Sequence, residues 1–241
     1  MLLKDISLST PQENILYDDV LLYLAEQKKM DEVLRFWESP EYFIVLGRIC
    51  KEHEDLCWPT IKEDRILVLR RSSGGGTVVQ GPGCLNYTLV LSKDKAAIAD
   101  LRKSYAYILG KVVEALSLIG LKTTFLPISD IAMAETQKKV SGNAQKRGRN
   151  FILHHGTILY NFDRSKIERY LKMPKDMPDY RQRRSHLDFV TNVHASRTSI
   201  QDAFKKVFTV SKEETQLSQI EKTFLNQFVK TKSVIVELNQ S

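Results

Sequence analysis

Cysteine is scarce in this chain of 241 residues, which contains only Cys50, Cys57 and Cys84. An odd number of cysteines without a CxxC pair does not build the disulfide framework of a secreted domain, so we expect a reducing, cytoplasmic environment. Long apolar runs are missing as well. No window approaches the about 18 consecutive apolar residues of a membrane-spanning helix, and Lys4 and Asp5 interrupt the apolar start of the chain. The sequence therefore predicts neither a membrane span nor a secretory leader.

Three familiar catalytic motifs are also missing. No lysine follows the glycines at positions 74–76 in the way that a Walker loop, G-x-x-x-x-G-K-[ST], requires. The dinucleotide pattern G-x-G-x-x-G fails after Gly81 and Gly83, because position 86 is an asparagine. No G-x-S-x-G surrounds Ser73 or Ser141. The usual phosphate loops and a serine hydrolase are therefore not supported.

What is present is an ordinary globular composition with an uneven charge. Hydrophobic residues make up 42% and charged residues 27%, and a chain of this length buries roughly three-quarters of the surface that its unfolded form exposes. The net charge is +7, yet thirteen basic and four acidic residues between positions 138 and 184 give +9 there and −2 elsewhere. A localised basic region favours a nucleic acid, a phosphate-bearing ligand or an acidic protein as partner. A solvated basic face without any ligand explains the charge equally well.

Apolar periodicity predicts helices and strands in mixed order. Helices are expected over residues 13–30, 98–119, 165–171, 199–207 and 214–229, and strands over 42–46, 66–69, 85–91, 123–126, 128–133, 139–141, 150–161 and 233–238. No regular alternation of strand and helix is visible, so we predict an α+β fold with a mixed β-sheet flanked by helices. Residues 174–185 are predicted to form a mobile loop.

The most informative segment is a glycine-rich loop between two predicted strands. Five of the eleven glycines fall within residues 74–83, directly after Arg70 and Arg71. Adjacent glycines let backbone N–H groups approach a ligand closely, and arginines supply permanently charged donors for phosphate or carboxylate. The pattern indicates an anion site, with a flexible hairpin loop as the alternative.

A second segment combines a lysine with small residues and a histidine pair. Lys139 precedes Ser141 and Gly142, and His154 and His155 enter the next predicted strand. The lysine either joins the glycine loop in one site or is simply the solvated end of a strand. Because adjacent residues of a strand point to opposite faces, the two histidines do not chelate one metal ion together. Zinc would need more distant ligands, so we do not predict a zinc site.

Four motifs follow one another along the chain. They are Arg70-Arg71-x-Ser73-Gly74-Gly75-Gly76-Thr77-Val78, Ser129-Asp130-Ile131, Lys139-Val140-Ser141-Gly142-Asn143-Ala144 and His155-Gly156-Thr157-Ile158-Leu159. In this order and spacing they resemble the lipoate-protein ligase family, that is, the catalytic domain of the biotin/lipoate protein ligases. The likeness extends upstream through residues 34–38 and 45–48 and covers roughly residues 15–171.

The resemblance implies a fold and an activity. It implies one biotinyl/lipoyl-ligase-like catalytic domain over residues 1–241, without a large C-terminal accessory domain. Such enzymes use ATP and Mg²⁺ to convert the carboxylate of lipoate or octanoate into an acyl-adenylate and pyrophosphate. They then transfer the acyl group to one lysine of an acceptor domain. The acceptors implied are acidic lipoyl domains, either of the E2 type in 2-oxoacid dehydrogenases or of the glycine cleavage H protein type.

Individual roles also follow from the resemblance. Lys139 would be the catalytic residue, contacting the acyl carbonyl and the adenylate phosphate without becoming a nucleophile. Arg71, which is nearer the turn than Arg70, is the expected phosphate contact, and Asp130 is the expected Mg²⁺ ligand. The residues implied in nucleotide or acyl binding are Arg70, Arg71, Ser73, Gly74, Gly75, Gly76, Thr77, Val78, Val79, Asp130, Gly142, Ala144, His155, Gly156 and Thr157.

The sequence departs from the family pattern in places that leave alternatives open. The family's histidine-aspartate pair after the glycine loop is Gln80-Gly81 here, and its Gly-Asn is Gly83-Cys84. Little of the chain remains after Leu238 for an accessory domain. Either the catalytic domain forms the adenylate alone, or a separate accessory chain is needed, or the protein only transfers preformed acyl groups.

Two rival functions are less favoured by the residues. An octanoyltransferase of the same fold needs a cysteine thiolate, but residues 127–138 contain no cysteine and none follows Cys84, which we expect to be structural. A nucleic-acid-binding module would use the basic region but lacks clustered aromatics or a recognition motif. The residues do not distinguish lipoate from octanoate.

Overall fold

The computed structural model of the chain describes residues 1–237. Its strands are β1 (Leu2–Asp5), β2 (Val33–Trp37), β3 (Phe43–Leu46), β4 (Leu67–Arg70), β5 (Val78–Gln80), β6 (Cys84–Ser92), β7 (Thr123–Leu126), β8 (Asp130–Met133), β9 (Lys139–Arg147), β10 (Phe151–Leu159) and β11 (Lys212–Glu214). Its helices are α1 (Pro11–Glu26), α2 (Glu52–Asp55), α3 (Trp58–Glu63), α4 (Ala96–Ala99), α5 (Leu101–Ser117), α6 (Ser165–Tyr170), α7 (His186–Phe189), α8 (Arg197–Val207) and α9 (Gln219–Thr231). Throughout this range, every helix is too short or too polar to cross a bilayer.

The strands form two sheets. The large sheet has the order β11-β1-β2-β6-β10-β9-β8-β7, in which β1 runs parallel to both of its neighbours and the other pairs are antiparallel. The small sheet has the order β4-β3-β5, with β3 parallel to β4 and antiparallel to β5. The predicted mixed sheet with flanking helices, an α+β fold, is confirmed.

Helices cover both faces of the large sheet. On one face, α5 and α8 pack through residues such as Ile108 and Phe204 against Phe36 and Leu89. On the other face, α1 and α9 enclose a second cluster that includes Leu16, Val90 and Leu225 and also reaches the small sheet. A third cluster joins the small sheet to α3, α6 and α7. The central strand β6 is buried on both faces, which explains its nearly continuous apolar sequence.

Helix boundaries depend on side chains that cap the backbone. Helix α1 begins at Pro11, before the predicted residue 13, because Thr10 and Glu13 form a reciprocal capping box. The single helix predicted over 98–119 is wrong at its start, because Asp100 breaks it. Asp100 has extended backbone angles, and its side chain accepts a hydrogen bond from the Lys103 N–H, so a new helix, α5, begins after it.

Of the four strands that the apolar pattern did not predict, β1, β2, β5 and β11, the first two contain a buried charge that interrupts the pattern. All five residues of β2 are buried, including Arg35, and Lys4 in β1 is buried as well. The Arg35 guanidinium pairs with Asp18 at 2.6 Å and donates to the carbonyls of Ile6 and Asn14. A buried arginine is tolerated only when its donors are satisfied in this way.

Most predicted strands are confirmed, with two changes near the site. Strand β9 extends to Arg147 rather than ending at 141. The segment predicted as a strand over 233–238 contributes one bridge, between Leu69 and Ile235, with a further hydrogen bond from the Arg70 N–H to the Val234 carbonyl. It therefore lies along the edge of β4, and position 238 falls outside the described residues.

The segment predicted to be a mobile loop is tied to the fold through its second half, while its mobility stays a prediction. Residues 174–185 contain a short 3₁₀ turn at Asp179–Arg181. Arg181 is buried there, with its guanidinium 4.6 Å from the centroid of the Phe189 ring. Arg184 donates to the carbonyls of Gln137 and Tyr180. These contacts place the segment beside the turn that precedes β9.

A buried ion pair joins the first strand to the last helix, and its removal is a test of the fold. Lys4 Nζ lies 2.7 Å from Glu221 Oε1, which also accepts a hydrogen bond from the Tyr17 hydroxyl at 2.9 Å. We expect Glu221→Ala to lower the free energy of unfolding by about 2 kcal/mol, because the buried Tyr17 hydroxyl loses its acceptor and Lys4 keeps only its other partner, Glu214. Urea denaturation of parent and variant measures the difference.

The control and the pH dependence follow from the same contacts. The neighbouring exposed change Lys222→Ala should shift stability by less than about 0.5 kcal/mol.

Burial raises the pKa of Glu221, but Lys4 and Ser218 outweigh it and hold that pKa below its ordinary value. The stability contributed by Glu221 is therefore present at neutral pH and lost as the pH falls through the acidic range. A loss from Glu221→Ala no larger than that from Lys222→Ala would contradict the structural role.

Candidate functional site

The glycine loop, residues 73–76, connects β4 to β5 and lies over the large sheet. Gly75 has a φ of +81°, and a Cβ atom built on it would lie 3.3 Å from the Cβ of Ala144 on β9. Ser73 Oγ lies 2.6 Å from His155 Nε2 on β10. The fold therefore brings the glycine loop together with the lysine and histidine segments, as the resemblance implied.

Arg71 organises the glycine loop from inside. The buried guanidinium donates to the carbonyls of Gly74 and Gly76 at 2.6 and 2.8 Å, and to Ser73 Oγ at 3.0 Å. Burial lowers its pKa to about 10, so the group stays charged at neutral pH. Within residues 1–237, no protein acceptor takes the N–H groups of Gly74, Gly75 or Gly76. These amides are therefore available to an anionic ligand.

The two arginines differ in accessibility. Arg70 is only partly buried and donates to the carbonyls of Gly47 and Cys50, with Glu52 as its ion-pair partner. Arg71 uses its donors within the fold, on the loop itself and on the Val45 carbonyl of β3. We predicted Arg71 as the phosphate contact, but the geometry leaves Arg70 the more accessible of the two.

Small residues on β9 make room for Lys139. A Cβ atom on Gly142 would lie 3.0 Å from both Cε and Nζ of Lys139. The ammonium group lies 2.7 Å from Asp130 Oδ1, and the Tyr180 hydroxyl donates to Asp130 Oδ2 at 2.6 Å. Burial and the Asp130 charge raise the pKa of Tyr180, so its hydroxyl stays protonated. Lys139 is thus a cation held in place on β9, the strand whose Ala144 meets the glycine loop, with about a quarter of its side chain exposed.

Asp130 fits Mg²⁺ poorly in this arrangement. Both carboxylate oxygens already have protein partners, Lys139 and Tyr180. Within residues 1–237, no group of three or more histidine, cysteine, aspartate or glutamate side chains is placed to hold a metal ion. Asp130 as a magnesium ligand stays a prediction and would require the loss of one of its two contacts.

A buried polar network fixes the turn that carries Asp130. Asn143 donates from Nδ2 to the Ser129 carbonyl at 2.8 Å, and its Oδ1 accepts from the Tyr87 hydroxyl and faces His154 Nε2 at 3.3 Å. Gln145 Nε2 lies 3.1 Å from His154 Nδ1. One assignment satisfies every group, with the His154 proton on Nε2. Burial lowers the pKa of His154 to about 3, so this histidine is neutral.

Gly156 is required by the same network. A Cβ atom on it would overlap Asn143 Oδ1 and come within 2.7 Å of the Tyr87 hydroxyl. The predicted separation of the histidine pair is confirmed: His154 enters the network on one face of β10, and His155 contacts Ser73 on the other. The glycine after the pair therefore has a steric role.

Ser73, His155 and Asp18 form a chain of side chains. His155 Nδ1 lies 3.5 Å from Asp18 Oδ2, and Asp18 also pairs with Arg35. Burial raises the pKa of Asp18, but Arg35 and His155 outweigh it and hold the pKa below its ordinary value. Serine hydrolases use the same order of groups. Here Ser73 is only 1% exposed and accepts from Arg71, so the chain anchors the glycine loop to β10 and α1.

A positively charged cavity that sequence reasoning missed adjoins the glycine loop. It measures about 400 Å³ and is lined by Asp19, Arg48, Arg70, Arg71, Ser72, Lys146, Lys232, Ser233 and Val234. Asp19 pairs with Lys146 at 2.8 Å and lies 3.6 Å from Lys232. Lys146 belongs to the basic region of the sequence, but nothing local indicates that Lys232, from the end of the chain, joins it.

The remaining predicted site residues lie directly after the glycine loop or on β10. The Thr77 hydroxyl bonds to Asp55, while Val78 and Val79 pair with β3 in the small sheet. Thr157 lies on β10 opposite Asn86. Cys84 is buried at the start of β6 and donates to Gln80, and burial raises the pKa of its thiol. A neutral, buried thiol agrees with the structural role that we predicted.

Two glycine substitutions test which glycine the buried network requires. We expect Gly156→Ala to lower the free energy of unfolding by about 2 kcal/mol, because its Cβ overlaps a buried side chain. Gly142→Ala should change stability by less than about 0.5 kcal/mol, since its Cβ meets only the flexible end of Lys139. Urea denaturation of both variants gives the comparison. Equal losses of unfolding free energy in the two variants would contradict the steric role of Gly156.

Comparison with known sequences identifies the family. A family model described as the lipoyl protein ligase A/B catalytic domain matches residues 10–217. A protein named as a probable lipoate-protein ligase A, from Mycoplasma pneumoniae, is 30% identical over 178 residues, 72% of this chain and 50% of that protein. The octanoyltransferase LipM of Oceanobacillus iheyensis is 23% identical over 239 residues, 88% of this chain and 87% of that protein. The chain spans 37% to 50% of the first three curated ligases that it matches.

Solved structures show the same fold. The bipartite lipoate protein ligase of Thermoplasma acidophilum, described with its E2 lipoyl domain, superposes with a TM-score of 0.78 at 21% identity, covering 96% of this chain and 94% of that one. A lipoate-protein ligase A bound with ATP gives 0.79 at 21% identity, covering 95% and 94%. The fold predicted from the resemblance is confirmed. With its sequence matched over residues 10–217 and its fold shared by these ligases, the chain belongs to the lipoyl protein ligase A/B catalytic domain family.

Proposed function

We propose that the protein is a lipoate-protein ligase that activates lipoate or octanoate with ATP and transfers the acyl group to a lysine of a lipoyl acceptor domain. The observation that carries the proposal is the Lys139 cation, held by Asp130 at 2.7 Å beside a loop whose three glycine N–H groups have no protein acceptor within residues 1–237. An acyl-adenylate needs this combination, because its phosphate is anionic and its carbonyl must be polarised. A structural neighbour of 21% identity is described as bound with ATP.

In the first step, the acyl carboxylate oxygen attacks the α-phosphorus of ATP. The new bond joins that oxygen to phosphorus, and the bond to pyrophosphate breaks. Negative charge builds up on the phosphorus oxygens, where Lys139 and the N–H groups of Gly74, Gly75 and Gly76 stabilise it. Arg70 and Lys146, which line the cationic cavity next to the loop, would contact the departing pyrophosphate.

In the second step, the neutral amine of the acceptor lysine attacks the acyl carbonyl. The amide C–N bond forms, the bond from the acyl carbon to the phosphate oxygen breaks, and the proton lost by the amine passes to solvent. Lys139 acts as a fixed positive charge, polarising the carbonyl and stabilising the AMP that leaves. It forms no covalent bond in either step.

The acyl chain would lie along the glycine loop, where side chains are missing. Gly75, Ala144 and His155 form the adjoining wall, and Thr77, Val78 and Val79 extend it toward the small sheet. Mg²⁺ carried by the triphosphate would neutralise phosphate charge during the first step. Asp130 would bind it only after releasing Lys139 or Tyr180, so no step is assigned through the metal.

An acidic lipoyl domain, of the 2-oxoacid dehydrogenase E2 type or the glycine cleavage H protein type, is the proposed acceptor. The Thermoplasma neighbour is described as bipartite and together with its E2 lipoyl domain, which supports this acceptor and keeps an accessory chain as a possible requirement. The basic region contributes less free charge than its sequence indicates. Arg169 pairs with Asp64, Lys175 pairs with Glu54, and Arg181 and Arg184 bond within the fold.

The second candidate is an acyltransferase that uses a preformed acyl donor. One observation favours it: the chain covers 87% of the matched octanoyltransferase, but only 37% to 50% of the matched ligases. Against it stands the burial of Cys84. Of the other two thiols, Cys50 lies near the loop, 3.4 Å from the Gly75 carbonyl, and is partly exposed.

Acid-dependent exchange of pyrophosphate into ATP separates the two candidates. A ligase should show exchange with lipoate or octanoate, whereas an acyltransferase should instead accept octanoyl-acyl carrier protein without ATP. The assay is run with and without the candidate accessory chain. No exchange under either condition would refute the ligase, and transfer from the carrier protein would establish the alternative.

Lys139→Ala should abolish this exchange, with a loss of at least about a hundredfold. The fold should persist, because the ammonium is partly exposed and contributes little to the core. Lys138→Ala is the matched control, since Lys138 is adjacent but outside the Asp130 contact, and it should retain activity close to that of the parent. Comparable exchange rates for Lys139→Ala and the parent would contradict the role of Lys139.

Removal of the cysteines should leave acyl transfer intact. Cys84→Ala and Cys50→Ala each delete a thiol that the proposed mechanism does not use. We expect both variants to modify the acceptor at rates within about threefold of the parent, since small changes of this size correspond to less than 1 kcal/mol. Loss of transfer with preserved folding in either variant would indicate a thioester intermediate.

A further inference from the structure

One stretch of the chain, residues 180–191, holds Lys139 both at its backbone and at its ammonium group. At the backbone, the Thr191 N–H donates to the Lys139 carbonyl at 2.9 Å, and Val190 forms a parallel bridge with Lys139. At the ammonium group, the Tyr180 hydroxyl binds the carboxylate that pairs with the lysine. This stretch therefore fixes the strand position and supports the charged end of the same residue.

The Asp130 carboxylate lies between Lys139 and Tyr180, which follows Asp130 by fifty positions. Its Oδ1 is 2.7 Å from Lys139 Nζ, and its Oδ2 accepts a hydrogen bond from the Tyr180 hydroxyl at 2.6 Å. The terminal torsion of an aspartate is broad, so a carboxylate with one partner can still turn about its bond. Partners on both oxygens fix the orientation of Asp130, and with it the position of the ammonium group.

A neutral donor suits the second oxygen of Asp130 better than a second cation would. Two cations on one carboxylate repel each other and weaken the hold on each. The Tyr180 hydroxyl orients the carboxylate without adding charge. Within residues 1–237, Lys139 is the only cation that pairs with Asp130.

Tyr180 is itself held in place by residues that follow it. The centroid of its ring lies 5.3 Å from that of Phe189, and its carbonyl accepts a hydrogen bond from Arg184 at 2.9 Å. Arg184 also donates to the carbonyl of Gln137, in the turn before β9. A side chain supported in this way can position another group accurately.

We propose that Tyr180 is a positioning residue for acyl-adenylate formation, because its hydroxyl fixes Asp130 and Asp130 in turn places the Lys139 ammonium. The inference rests on the proposed ligase function, and Tyr180 itself touches neither ATP nor the acid. A cation already in its place stabilises the charge that develops on the phosphorus oxygens, whereas a loosely held cation must first be ordered. Loss of the hydroxyl should therefore slow the chemical step rather than weaken substrate binding.

The test compares Tyr180→Phe with Tyr170→Phe as the matched control. The Tyr170 hydroxyl also donates to an aspartate that pairs with a cation, at 2.7 Å from Asp64, but this contact joins α6 to the residue after α3. Pyrophosphate exchange gives kcat and the KM values for ATP and octanoate, with the accessory chain present if the parent requires it. Urea denaturation of both variants measures their folding.

We expect kcat of Tyr180→Phe to fall about tenfold while both KM values stay within about twofold of the parent, the pattern of an interaction made in the transition state. Tyr170→Phe should match the parent. Unchanged exchange in Tyr180→Phe would overturn the positioning role. A raised KM with unchanged kcat, or an equal loss of kcat in Tyr170→Phe, would overturn it too.

A double-variant cycle tests whether Tyr180 acts through Asp130. Asp130→Asn keeps the shape of the side chain but removes its charge, so the hydroxyl has no carboxylate left to orient. Adding Tyr180→Phe to Asp130→Asn should then lower kcat by less than about twofold more. Losses that multiply would contradict the inference and leave the ligase function standing. A parent that shows no exchange under either condition would refute the proposed function itself, and the role of Tyr180 with it.

Discussion

The close approach of the glycine loop to strand β9 is the constraint on which the rest of the site depends. Gly75 packs against Ala144 at a distance that leaves no room for larger residues, and Arg71 draws the loop carbonyls inward. Turning the carbonyls inward leaves the loop amides for a ligand. The loop amides are thereby available to an anionic ligand, while the one buried charge of the loop stabilises its shape.

The opposite wall of the site is held by neutral groups. The network of Asn143, His154 and Tyr87 fixes the Asp130 turn without a net charge, because burial keeps His154 uncharged. Asp130 then holds the Lys139 ammonium, and the missing side chain of Gly142 leaves the room that the end of Lys139 occupies. A cation with fixed position needs little reorganisation when negative charge develops beside it, which is the property that adenylate chemistry demands.

The sequence predicts best what depends on local pattern. The glycine loop, the lysine beside small residues and the opposite faces of His154 and His155 follow from spacing alone, and the mixed sheet follows from the order of elements. Contacts between distant residues do not follow from spacing. Arg71 turns inward because it bonds to carbonyls of the loop. Arg35 is buried because it pairs with an aspartate seventeen positions away. The helix breaks at Asp100 because of one side-chain cap. The contact of Arg181 with Phe189 could not be predicted either, because Phe189 lies outside the segment 174–185.

The central claim is that the glycine loop and Lys139 together bind an acyl-adenylate. A crystal structure with a non-hydrolysable octanoyl-adenylate analogue tests it most directly. We expect the phosphate position of the analogue within hydrogen-bond distance of Lys139 Nζ and of at least one N–H group of Gly74, Gly75 or Gly76, with the acyl chain along the loop. An analogue whose phosphate position lies instead among Arg48, Lys146 and Lys232, away from Lys139, would contradict the claim.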